Sequence, residues 1–135
     1  MQKIFTLTLI AFLFISLNAS SQHRIGKTKS EIIQEFDIPG NYVKAGYTAA
    51  GEYVVSVAED YLAFMFMIDE NTDRCSLSIV VAATSDISRK ISQTYDSRYE
   101  IKNSLEWKAS DRYGNYIIKK RQQKGGGSYF FWIKE

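Results

Sequence analysis

Tyr61-Leu62-Ala63-Phe64-Met65-Phe66-Met67-Ile68 is apolar at odd and even positions alike. Successive side chains of a strand point to opposite faces, so this segment puts apolar groups on both sides of its sheet and belongs near the sheet's centre. Asp69 to Arg74 is polar and turn-prone. The returning arm, Cys75 to Ala82, alternates: Cys75, Leu77, Ile79 and Val81 share one parity, Ser76 and Ser78 the other. The pattern predicts an antiparallel hairpin, a central strand beside a half-solvated one.

The first residues read as a leader. Lys3 supplies a short positive region, Ile4 to Leu17 an apolar or hydroxyl run, and Asn18-Ala19-Ser20-Ser21 a small-residue cleavage region. This is the layout of a secretory signal peptide, cut before Gln22. The run is shorter than the ~20 residues of a membrane span. The expected organisation is a cleaved leader at 1–21 and one domain at 22–135, placed in the periplasm or outside the cell. The lone cysteine, Cys75, allows no internal disulfide and lies far from any lipid-attachment position, so an exported chain must rely on packing. On its strand Cys75 reads as a small buried hydrophobe. Without Lys3, 16 basic residues face 15 acidic ones, which calls for neither nucleic acid nor an anionic membrane. Lys119-Lys120-Arg121 with Lys124 reads as the solvated end of a strand.

Along the chain, Thr28-Lys29-Ser30-Glu31 has the spacing of a capping box. Ile32, Ile33 and Phe36 follow at helical spacing, and Pro39, the single proline, ends the helix because it disfavours helical dihedrals at Ile38. Asn41 to Gly51 is either a short edge strand through Tyr42, Ala45 and Tyr47 or an ordered loop. Tyr53 to Ala58 is a strand by β-branched content. Thr84-Ser85-Asp86 opens a second helix, with Ile87, Ile91 and Tyr95 on one stripe. Leu105–Ala109, Tyr116–Arg121 and Ser128–Ile133 are strands. The expected fold is therefore α+β: an antiparallel sheet of about six strands, two short helices on one face, order αβββαβββ, with a tandem duplication suggested by the repeated plan.

Ile25-Gly26-Lys27-Thr28-Lys29-Ser30-Glu31-Ile32-Ile33, followed by Pro39 and by the Leu62-to-Val81 hairpin, resembles small exported bacterial domains of the SmpA/OmlA (BamE) type. Two such units in tandem resemble the beta-lactamase-inhibitor-protein-like architecture. The resemblance implies a non-catalytic binding or assembly role. The BamE lineage is lipid-anchored, and this chain lacks the cysteine for that.

Chemistry-bearing constellations are few. His23, the only histidine, sits beside the expected cut and is expected in a mobile tail. That argues against histidine bases, triads and histidine metal clusters, and leaves Cys75 without a histidine partner. Asp69-Asn71-Asp73 has the spacing that starts a calcium loop, but Arg74 stands where the glycine is needed and Val80 where the glutamate is, so it reads as a hairpin turn. Glu59-Asp60 and Asp69-Glu70 are ordinary turn acids as readily as an acid/base pair. Lys124-Gly125-Gly126-Gly127-Ser128 lacks the helix that a phosphate loop needs and reads as a hairpin loop. No catalytic residue, metal or cofactor is expected.

The informative excess is aromatic: nine Tyr, eight Phe and two Trp, of which Phe5, Phe12 and Phe14 fall in the leader. Two readings stand. Either Trp107, Tyr116, Phe130 and Trp132 lie partly on an uncovered sheet face and bind a partner, or both faces are packed and they are core. The first makes the chain a binding module for another envelope or extracellular protein, with no stable membrane insertion. A rival function is a carrier of a small apolar ligand in a cavity lined by Phe64, Met65, Phe66 and Met67.

Overall fold

A computed structural model describes residues 23–135; the expected leader lies outside the described residues. Helix α1 (Lys29–Phe36) begins at the capping box: Thr28 Oγ1 accepts from the Glu31 N–H (3.3 Å) and donates to the Glu31 carboxylate (2.9 Å). The helix ends at Asp37, short of Pro39. Four strands follow as a meander: β1 (Tyr42–Tyr47), β2 (Tyr53–Glu59), β3 (Leu62–Asp69) and β4 (Arg74–Ala82). Helix α2 (Ser85–Arg98) is capped by Thr84, whose hydroxyl accepts from the Ile87 N–H. A second meander completes the chain: β5 (Glu100–Asn103), β6 (Glu106–Asp111), β7 (Gly114–Gln122) and β8 (Ser128–Lys134).

All eight strands of the described residues form one antiparallel sheet in the order β1-β2-β3-β4-β8-β7-β6-β5. The last strand of each meander lies in the middle, and β4 pairs with β8 from Leu77–Ile133 to Ala82–Ser128. This corrects the expectation of about six strands in the order αβββαβββ: the order is αββββαββββ. The two strands missing from that count, β1 and β5, are the two edges. An edge strand has one neighbour and one weakly covered face, so it carries little hydrophobic alternation. All four β5 residues are exposed, and β1 is largely so.

A bulge changes the expected faces of β4. The pairing of β3 with β4 shifts between Met67 and Ile68, so that Met67 opposes Leu77 while Ile68 opposes Cys75. An extra residue on one strand rotates everything beyond it to the other face. Cys75 therefore joins Ser78, Val80 and Ala82 in the interior, and Leu77, Ile79 and Val81 point the opposite way. Strict alternation had grouped Cys75 with Leu77 and Ser78 with the solvent.

Both helices lie on the same side of the sheet. Ile32 and Phe36 of α1, and Ile91 and Tyr95 of α2, pack with the inward residues of β2, β3, β4, β6, β7 and β8 in one cluster. Under α1 the core is Val55, Val57, Phe64 and Phe66, with Phe36 5.5–5.8 Å from the two Phe rings. Under α2 it is aromatic. Tyr95 meets Trp107, Phe130 and Trp132 edge-on at 5.4–5.7 Å. Their polar ends are satisfied, as buried Trp and Tyr require: Trp132 Nε1 donates to Tyr95 Oη (3.1 Å), and Trp107 Nε1 donates to Asp96 (2.8 Å). The β7–β8 loop closes tightly beside α2. A Cβ on Gly127 would stand 2.7 Å from the Ala82 carbonyl oxygen, a separation only glycine avoids.

Candidate functional site

Two places could act on another molecule: a cleft at the N-terminal segment, and the sheet face away from the helices.

The cleft, about 510 Å³, lies among His23–Lys27, Glu31 and Glu35 of α1, the β6–β7 turn and Lys134. The N-terminal segment is held there by both halves of the molecule. β8 stops at Leu77 on its way along β4, and Gly26 to Thr28 occupy the strand edge that remains: Gly26 N–H donates to Cys75 O (2.9 Å) and Cys75 N–H to Lys27 O (2.8 Å). Arg24, nearly buried, places its guanidinium against the Glu35 carboxylate (2.9 Å from Nε to each oxygen). Its backbone N–H donates to Ser78 Oγ (3.2 Å), which gives that buried serine a partner.

His23 is a fixed part of this segment, where a mobile tail was expected. It is 5% exposed, with its ring 4.2 Å from that of Tyr116 and 5.1 Å from that of Trp132. Nδ1 accepts from the Ile25 N–H (3.2 Å), and Nε2 faces Asp111 Oδ2 (2.9 Å). A ring that accepts at one nitrogen must be neutral, with its proton on the other. Burial, helped by the neighbouring Arg24 charge, pushes the His23 pKa down against the pull of Asp111. Partial burial of Asp111 is outweighed by the His23 hydrogen bond and by the N–H groups of Tyr113 and Gly114, which hold its carboxyl below the usual range. Both imidazole nitrogens are occupied, so the ring offers no free base to a substrate. Burial pushes the Cys75 thiol up to about 11, the condition of an inert thiol.

The other face is built by the alternate residues of the same strands. β3 contributes Ala63, Met65 and Met67, β4 Val81, Ile79 and Leu77, and β8 Tyr129, Phe131 and Ile133. Each set of three is aligned across the strands: Ala63–Val81–Tyr129, Met65–Ile79–Phe131 and Met67–Leu77–Ile133. Ile117 of β7 extends the last row. These side chains are half-buried by one another, and Ile133 is 39% exposed. No described helix or strand lies over them, because both helices are on the opposite side. Contiguous apolar surface is the usual raw material of interaction sites.

The patch has a charged border. Lys119 and Arg121 of β7 stand directly beside Phe131 and Tyr129. Arg121 lies over the Phe131 ring, 5.9 Å from its centre. Across β2, Lys44 of β1 marks the other side. None of these three cations forms an ion pair with a described residue. One strand further out, on β6, Glu106 lies opposite Lys119, and Lys108 pairs with Glu135 at 3.9 Å.

The residues nominated from the sequence are elsewhere. Trp107, Tyr116, Phe130 and Trp132 are each at most 1% exposed and face the helices, so they form the core. Phe64 and Phe66 face the helices too, while Met65 and Met67 face away, so no single cavity is lined by all four. The residues that sequence reasoning passed over are Tyr129, Phe131 and Ile79. A signal existed: Tyr129 and Phe131 share a parity against Phe130 and Trp132. Which parity is covered follows from the side on which α2 packs, where Tyr95 meets Phe130 and Trp132, and that is not written in β8 alone. The β3–β4 hairpin loop is 70–73, closed by the paired Asp69 and Arg74, with Asp69 Oδ1 accepting from the Asn71 N–H. Lys124–Gly127 lies in the β7–β8 hairpin loop. Among the described residues no three His, Cys, Asp or Glu side chains are grouped so as to hold a metal ion, and no helix is long and apolar enough to cross a membrane. No family model matches the chain, no curated protein matches it, and no solved structure matches its fold.

Proposed function

We propose that this is an exported, non-catalytic binding module that acts through the uncovered sheet face, by contact with another envelope or extracellular protein. The observation that carries the reading is the aligned apolar surface on β3, β4 and β8, which no described element covers, since both described helices pack on the other side. The leader-like pattern of residues 1–21 supports the export part of this reading. Occupied imidazole nitrogens and a buried thiol support a role without catalysis.

The test is affinity capture from envelope extract with the wild-type chain beside an Ile79→Glu, Phe131→Glu chain. Near-ultraviolet circular dichroism establishes that the variant is folded. A partner held by the first bait and lost from the second is the expected result. The same captured proteins on both baits would sink the proposal, because binding would then not use this face. The carrier alternative is separated by native mass spectrometry of gently purified protein, where a retained small apolar mass favours it and a clean apo mass counts against it.

A further inference from the structure

A partner that covers this face meets side chains alone. The strand N–H and C=O groups of β3, β4 and β8 are spent within the sheet, each of these strands being paired on both sides. No backbone group of these three strands is left to pair with a partner's backbone. A single extended segment laid on it would bury unpaired N–H and C=O groups, whereas a helix brings its own backbone bonds with it. Dimensions agree. From β3 to β8 is two strand spacings, roughly 10 Å, and a helix with side chains is about 10–12 Å across.

The border then selects the charge of the helix. Lys119 and Arg121 stand one strand beyond the apolar rows on one side, and Lys44 two strands beyond on the other; none of the three is ion-paired with a described residue. A second copy of this chain is a poor fit in one of its two face-to-face arrangements: a two-fold axis across the strands sets Lys119 over Lys119, which disfavours that pairing. An axis along the strands sets Lys44 over Glu106 of the other copy, so charge does not oppose that pairing and sedimentation decides it.

Resting on the reading of this face as the binding surface, we infer that its occupant is an amphipathic helix of another protein, apolar on one stripe and acidic along its flank, docked over Met65, Ile79 and Phe131 with its carboxylates toward Lys119 and Arg121. This is the mirror of the packing already present, in which α1 and α2 cover the opposite face.

The probe is a pair of synthetic helical peptides of roughly 18 residues, about five turns, with the same leucine stripe. One has glutamates along both flanks of the stripe, the other lysines. The readouts are the methyl resonances of Met65 and Met67 and a fluorescence-anisotropy Kd at low salt. The acidic peptide should shift both methyl groups and bind about tenfold more tightly than its basic twin, as two favourable border contacts allow. A Lys119→Glu, Arg121→Glu chain should reverse the preference. Equal affinity for the two peptides, or none for the acidic one, overturns the helix and its charge. The face itself survives that outcome if capture is still lost with Ile79→Glu, Phe131→Glu. Two further results overturn the inference outright: methyl shifts with vesicles of anionic lipid but with neither peptide, or a concentration-dependent dimer in sedimentation that Phe131→Glu abolishes.

Discussion

The sheet has two apolar faces made from the same strands, and they differ in what finishes them. On the helix side the large groups are closed off completely: Trp107, Tyr116, Phe130 and Trp132 are at most 1% exposed, and the indole N–H groups have partners. On the other side Met65, Leu77, Ile79, Tyr129 and Phe131 stop at half-burial, bordered by cations that have no carboxylate partner among the described residues. The contrast separates stability from function. Truncating a residue under a helix removes its transfer energy and leaves a cavity, while truncating one on the bare face removes only contacts between neighbours.

That contrast can be broken first where it should be strongest. Trp132→Ala should cost about 3–5 kcal/mol and leave much of the chain unfolded in thermal or urea denaturation. A loss under ~1 kcal/mol would mean that the helix side is not the structural core. Gly127→Ala should come next, at roughly 1–3 kcal/mol, since the added Cβ meets the Ala82 carbonyl at 2.7 Å and backbone must move. An unchanged urea midpoint would show that the β7–β8 loop has room to spare.

Acidification tests the N-terminal segment that joins the two halves over the helix side. The folded-state pKa of His23 is lowered, so below the ordinary value of 6.5 the unfolded chain takes up the proton first. His23 should therefore contribute stability above about pH 6.5 that is lost as the pH falls from there through its folded pKa. Asp111, lowered from 3.8, works at lower pH: its contribution is present above that value and disappears as the pH drops through the folded pKa. Glu59, whose pKa is raised by burial and by Asp60, acts in the opposite sense. Comparison with His23→Gln isolates the histidine: the variant should show a flatter stability profile as the pH falls below about 6.5. Parallel profiles would mean that His23 does not titrate differently on folding.

The smallest effects belong to the bare face. Phe131→Ser should cost at most about 1–2 kcal/mol, because part of its area is already in water. Lys119→Glu with Arg121→Glu should stay within about 0.5 kcal/mol in urea unfolding, and change partner binding far more than folding. If Phe131→Ser proves as costly as Trp132→Ala, something covers that face in the folded chain, and the distinction between the two sides fails.

Local chemistry was legible in the residues. The Thr28–Glu31 box, the Thr84 cap, the Ile87-Ile91-Tyr95 stripe and the β3–β4 hairpin depend on neighbours within a few positions, and each is present. The edge strands were not, since β1 and β5 draw on a single partner that lies elsewhere in the sequence. His23 looked like a tail because its partners, Asp111, Tyr116 and Trp132, are far along the chain.

By itself the sequence determined an α+β chain with an antiparallel sheet and a surplus of aromatic groups, because strand parity and helix caps are local rules. Only the tertiary structure decided which parity is buried. The β4 bulge sends Cys75 inward and Ile79 outward, and the joining of β4 to β8 aligns Ile79 with Phe131. Both are matters of register between distant segments, where a shift of one residue exchanges the faces.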